Sequence, residues 1–263
     1  MSDKMNVFEE IREQQQKTKA MDLKGKLSYF WYYYKIHFIV AVVVIVFFSV
    51  SIHQVLSNKP NAFYAIMLNS LPEEAFHEQM LDDFVAFSEI NTDKSTCLLD
   101  TTSFLNYTTM SDLDLATSDR LIGLVQSKDL DVVAADESTF NHLAENGFFS
   151  NLELILTKEE LDTYRECFYY VDNALLDQDY SEEELVTFDS ADPTGQDAFD
   201  SAVNHHSPEG MKEPVVAGIY ISDAPVIKAG NYYPGEESVL GITVTSQRTD
   251  LSRLYLNYLY GNE

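Results

Sequence analysis

The chain has 263 residues with 17 basic and 43 acidic side chains, a net charge of −26, so a phosphate backbone would be repelled and nucleic acid is excluded as a partner. Its two cysteines, Cys97 and Cys167, form no CxxC pair, and no HExxH, GxSxG, P-loop or GxGxxG pattern occurs. No cofactor is therefore expected, and the composition points away from an enzyme of a common motif-bearing class.

Residues 1–35 form a polar N-terminal segment containing Lys4, Arg12, Lys17, Lys19, Lys24, Lys26 and Lys35. From Ile36 to Leu56 the strongly polar side chains are confined to His37, His53 and Gln54, near the two ends. A helix of this length spans roughly 30 Å, the hydrocarbon thickness of a bilayer. The preceding segment is too long for the n-region of a cleaved signal peptide, and no A-x-A-like site follows. The run therefore reads as an uncleaved, single-pass signal anchor in the cell membrane. Seven basic residues precede it, whereas Lys59 alone follows closely. The positive-inside rule then places the N-terminus in the cytoplasm and the chain from about residue 58 onward outside. Phe30 to Tyr34 lie where an aromatic belt meets the headgroups. Leu23, Leu27, Phe30, Trp31 and Tyr34 share one helical face, which fits either a continuous helix entering the bilayer or a short interfacial helix lying on it.

A linker over 57–61 leads into an outer domain at 62–263. Residues 1–57 hold seven basic and five acidic side chains, so the remainder carries 10 and 38, or −28. That charge serves solubility, and it also favours cations over anions as ligands.

Ala62–Leu68 is a dense apolar run, expected as a buried strand. Pro72-Glu73-Glu74 opens a helix with Phe76, Met80, Phe84 and Phe87 at helical spacing, ending near Glu89. Thr96–Tyr107 alternates loosely and reads as one or two strands. Ser111 or Asp112 caps a helix through Leu115, Leu121, Leu124 and Val125. Asp131–Ala135 is a short strand, and Glu137–Asn146 a helix stopped by Gly147. This β-α-β-α-β-α order predicts an α/β domain with a mainly parallel sheet and helices on both faces. Over about 152–212 the pattern weakens, and a small inserted subdomain is expected there. It holds a capping box at Thr157–Glu160, a strand at Cys167–Val171 and an acidic stretch with a turn at Asp192–Gly195. Strands return at Val215–Ser222 and Ser238–Thr245, with a turn or short helix at Ala224–Ala229 between them. An amphipathic helix at Asp250–Tyr260 closes the chain.

Two stretches resemble bacterial extracellular solute-binding proteins of the two-lobed type. The first is Lys128-Asp-Leu-Asp-Val-Val-Ala-Ala-Asp136 with Phe140, Leu143, Ala144 and Asn146-Gly147 after it. The second is Gly241-Ile-Thr-Val-Thr-Ser246 with the helix Leu251–Tyr260. The resemblance covers about half the outer domain and implies a solute-binding fold in a truncated, membrane-anchored form. A second lobe has only 152–212 available to it, and Trp31, the single tryptophan, lies on the other side of the span.

In open α/β sheets, ligands sit beyond the carboxyl ends of strands. Asn69, Tyr107, Asp136 and Tyr220 lie at those ends and are the candidate ligand-binding residues. Ser70, Asp136 and Asp223 equally suit the plain role of helix caps. Asp177–Glu183 begins like a calcium loop, but Glu182 and Phe188 occupy the positions that need Gly and Glu, so a solvated acidic loop is expected. His205-His206 could bind a transition metal, but adjacent histidines in an irregular segment read more simply as an exposed pair. Cys97 and Cys167 fit either a disulfide or two free thiols. The leading expectation is a non-enzymatic, membrane-tethered binding or sensing module for a small cationic or neutral solute. The competing one is a structural or assembly subunit of an envelope or transporter complex, with a membrane or envelope protein as partner.

Overall fold

A computed structural model describes Arg12 and residues 22–57, 59–173 and 204–262. The N-terminal residues 1–11, the calcium-like stretch at Asp177 and the turn at Asp192 lie outside the described residues. The chain divides into two compact units, Met1–Lys59 and Pro60–Glu263.

In the first unit, α1 (Leu23–Ser57) is one continuous helix of 35 residues, about 52 Å long. Within it, Tyr34–His53 has a mean hydropathy of 2.5 and none of it is buried, so it is long and apolar enough to cross a membrane. The aromatic stretch continues the same helix, with Phe30 contacting Tyr34 and Phe38 at ring separations of 5.8 and 5.7 Å. These contacts follow from the i, i+4, i+8 spacing.

The second unit is an α/β fold. Its elements are β1 (Asn61–Met67), α2 (Glu74–Ser88), β2 (Thr96–Asp100), α3 (Asp112–Gln126), β3 (Val132–Asp136) and α4 (Glu137–Glu145). Then come α5 (Lys158–Tyr164), β4 (Phe168–Asp172), β5 (Pro214–Tyr220), α6 (Pro225–Gly230), β6 (Ser238–Ile242) and α7 (Thr249–Tyr260). Six strands form one sheet in the order β2-β1-β3-β6-β5-β4. The β1–β2 and β1–β3 pairings are parallel, while β3–β6, β5–β6 and β4–β5 are antiparallel. The sheet is therefore mixed rather than mainly parallel. The reason lies in the connections: β5 to β6 is joined by the short α6 segment, which turns the chain back instead of carrying it across the sheet.

Alternation of buried side chains builds a layer on each face. Phe63, Ala65 and Met67 of β1 join Val132 and Ala134 of β3 beneath α2, α5, α6 and α7. Tyr64, Ile66 and Leu68 join Val133 and Ala135 beneath α3 and α4. The strands are apolar on both sides because both faces are covered. A bulge, where Tyr169 and Tyr170 of β4 face Gly218 and Val216 of β5, leaves Ala217 unpaired. A Cβ at Gly218 would lie 2.6 Å from both Phe140 Cζ and Val239 Cγ1, so only glycine fits the close approach of α4 there.

Of the stretch expected as an inserted subdomain, 152–173 and 204–212 are described. β4 is the outer strand of the main sheet. The capping box Thr157–Glu160 opens α5 as the spacing predicts. Glu160 also accepts from Arg253 Nε (2.8 Å) and Asn257 Nδ2 (3.2 Å), which ties α5 to α7. Residues 174–203 lie outside the described residues.

At one end of the sheet the Asp131 carboxylate is wholly buried. Its oxygens accept the Tyr64 N–H (2.9 Å), the Ser246 hydroxyl (2.8 Å) and Arg248 Nε (2.9 and 3.0 Å). Arg248 donates onward to the carbonyls of Asn61 and Asp129 at 3.1 and 2.7 Å. One ion pair thus pins β1, β3 and the segment after β6 together. Cys97 and Cys167 are free thiols. Burial, and secondarily the charge of Asp131, pushes the Cys97 thiol up to about 11.

Candidate functional site

The strand directions place the carboxyl ends of β1, β2, β3 and β5 on one edge of the sheet, together with the amino ends of β4 and β6. Asn69, Tyr107, Asp136 and Tyr220 all lie on this edge, and all four meet α4 or its cap.

Asn69 follows β1 with φ 58°, a left-handed conformation that asparagine tolerates well. Its Oδ1 accepts the Leu105 N–H at 2.8 Å. Its Nδ2 donates to Leu105 O, Asp136 Oδ2 and Thr139 Oγ1 at 2.9, 2.6 and 3.0 Å. Asp136 is the N-cap of α4: its Oδ1 accepts the Thr139 N–H (3.0 Å) and the Ser138 hydroxyl (2.9 Å). Of the two roles open to Asp136 in the sequence, the cap is the one its contacts fulfil, and Asn69 braces that cap against the loop after β2.

Tyr107 lies in that loop, its ring stacked on His142 of α4 at 3.7 Å. Burial raises its phenol well above the ordinary value, and a hydrogen bond with Ser118 partly offsets this. Tyr220 closes β5 and donates its hydroxyl to Glu137 Oε1 at 2.6 Å. Burial, and next the Glu137 hydrogen bond, raises this phenol, because the charged form would face a carboxylate.

Around Tyr220 lie Glu137, which follows Asp136 at the predicted strand end, His206 of the histidine pair, and Glu237, which the sequence did not single out. Glu137 and Glu237 are adjacent because β3 and β6 are antiparallel with Asp136 opposite Ser238, and the Glu137 N–H donates to Glu237 O at 3.0 Å. The His206 ring stacks on Tyr220 at 3.9 Å, nearly parallel, with Nε2 3.4 Å from Glu237 Oε2. His205 is buried rather than exposed: its ring stacks on Tyr169 at 4.5 Å and its Nδ1 lies 2.8 Å from Tyr170 O. The pair separates because each ring covers a different tyrosine at the bulged end of β4 and β5. Adjacency of Asp136-Glu137 and Glu237-Ser238 to two predicted strands was the available signal, but it required knowing that β6 runs against β3.

The edge therefore presents Glu137, Glu237 and His206, while the Tyr107 and Tyr220 rings are covered by His142 and His206 and the polar atoms of Asn69 and Asp136 are turned on one another. Among the described residues, no three His, Cys, Asp or Glu side chains are placed to hold a metal ion. A concavity of about 180 Å³ lies between α2, α6 and α7, on the face of the sheet opposite α3 and α4. No protein family, no curated protein and no solved structure matches the chain.

Proposed function

We propose that this protein is a non-enzymatic binding or sensing module, held in the cell membrane by α1 with its α/β unit outside the cell. The observation that carries this reading is the closed hydrogen bonding at the strand-end edge. Asn69, Asp136 and Thr139 bond to each other, and Tyr220 bonds to Glu137, so these groups brace a scaffold instead of flanking a reacting atom. The anchor is supported by the unburied apolar segment Tyr34–His53, and the orientation by the seven basic residues within 1–35.

A protein occupant of the edge, as in a subunit of an envelope or transporter complex, is favoured by one further observation. The outward groups there are the exposed Glu237 and His206 beside the half-buried Glu137, a surface suited to a basic partner. Two measurements test the proposal. Protease added to intact protoplasts should degrade the chain beyond about residue 60 and spare the N-terminal segment; a protected α/β unit overturns the orientation. A photocrosslinking side chain at position 237 should capture a membrane or envelope protein, whereas the same group on α3 at position 119 should not. Equal labelling at both positions removes the edge as the docking surface.

A further inference from the structure

The 180 Å³ concavity between α2, α6 and α7 is built from aromatic rings and a single charge. Phe76, Met80, Val226, Tyr232 and Tyr258 supply apolar walls, Gln79 an amide and Asp83 a carboxylate, and among the described residues no basic side chain lines it. The two phenols have already committed their protons. Tyr232 donates to Phe76 O at 2.8 Å and Tyr258 to Met80 O at 3.4 Å. These bonds hold the rings as walls. Toward the hollow stand the half-buried Phe76 and Tyr258 rings, the Gln79 amide and the Asp83 carboxylate, Tyr232 itself being almost wholly buried, so the lining combines ring faces with a single negative charge. The Asp83 charge reaches both phenols: after burial, it is the influence that lifts Tyr258 to about 12, and it also contributes to raising Tyr232.

A hollow of this chemistry suits a ligand with positive charge spread over a greasy surface. Rings bind such a cation through their quadrupoles, and the carboxylate adds direct attraction. An anion meets Asp83, and a neutral apolar molecule gains nothing from it. The volume is below the roughly 300–1,000 Å³ of sites for larger ligands, so the fit is to a group of a few heavy atoms. The net charge of −28 beyond residue 57 raises the local concentration of any cation. We infer that the cleft between α2, α6 and α7 is a binding site for a small organic ammonium group, held by the half-buried Phe76 and Tyr258 rings with Asp83 as its counter-ion. This deepens the binding-module reading and rests on it, at a site apart from the strand-end edge.

The test uses the full-length protein in maltoside micelles, with ¹³C-methyl methionine labelling and the Met80 line assigned by Met80→Leu. Choline should shift the Met80 line saturably, and its neutral carbon isostere 3,3-dimethylbutan-1-ol should not. Asp83 is exposed, so Asp83→Asn leaves the fold intact; it should weaken choline binding about tenfold. Tyr258→Phe keeps the ring and should retain binding, whereas Tyr258→Leu should lose it. Transfer to phosphatidylcholine nanodiscs separates two sources of the ammonium. A Met80 line displaced before choline is added assigns it to a lipid headgroup, and a line that moves on adding choline assigns it to a free solute. No saturable Met80 shift, an equal response to the neutral isostere, or indifference to Asp83→Asn overturns the site. Crosslinking at position 237 is independent of these residues, so its persistence marks a failure of the ammonium site alone.

Discussion

Asp136 joins three elements through two oxygens, since it caps α4 with one and holds Asn69 with the other. Asp136→Ala should therefore cost about 1–2 kcal/mol, the upper range for a lost cap, read as a lower urea midpoint by circular dichroism. The buried pair Asp131–Arg248 sets a larger effect. Arg248→Met leaves a wholly buried carboxylate without its counter-charge and should cost about 3–5 kcal/mol in the same measurement. A loss below 1 kcal/mol would mean that solvent reaches Asp131. The sequence marked Asp136 as a strand end but was silent on Arg248, because a pairing across 117 residues leaves no local pattern.

Two glycines in regular elements make opposite demands. A Cβ at Gly241 of β6 would fall 2.4 Å from Phe149 Cδ1, and the Phe149 ring is itself stacked on Phe140 at 4.2 Å. It has no free end to move, so Gly241→Ala should destabilise by about 1–3 kcal/mol. Gly123 of α3 has nothing within 4 Å, so Gly123→Ala should stabilise by about 0.5–1 kcal/mol through helix propensity and a less free unfolded chain. Paired thermal melts of the two variants check both signs. Elements such as these were largely legible: Phe76, Met80, Phe84 and Phe87 announced α2, and the Thr157–Glu160 box announced α5. Boundaries were less so. Thr96–Tyr107 yields a strand only to Asp100, because the hydroxyls and amide side chains after it turn the backbone into a loop held by Asp100, Asn69 and Asp114.

Across the whole molecule, acid should act through carboxylates held below their usual range. Burial works against charge on Asp100 and Glu160. Hydrogen bonds from Ser103, Thr102 and Arg120 outweigh it at Asp100, and those from Arg253, Thr157 and Asn257 at Glu160. A carboxylate with a lowered folded value contributes stability that is full above its unfolded value and lost as pH falls through the folded one. The urea midpoint should hold near neutrality and decline below about pH 4. Glu160→Gln should lower it at pH 7, and the gap from the unsubstituted protein should narrow by pH 3. The candidate site was legible in location only. Strand ends identified the edge, but the direction of β6 decided that Glu137, Glu237 and His206 share it, and direction is fixed by connections and packing rather than by alternation within five residues.

β6 lies between β3 and β5, so the trio β2-β1-β3 and the pair β5-β4 meet only across it. It is also the last of the sheet's six strands in chain order, and so the last of them to be synthesised. As the chain emerges, the inner edge of β3 stays bare, with its backbone donors and acceptors open to any passing extended segment, until residues 238–242 arrive to fill the gap. Assembly is therefore closed by its final strand, in the manner of a keystone, and cannot proceed as a simple march from the N-terminus. A chain ending at Glu237 should accumulate as a protease-sensitive, aggregation-prone species even though it retains five of the six strands. Supplying residues 238–263 as a separate peptide should restore protection, since the vacant slot between β3 and β5 accepts one strand in one direction.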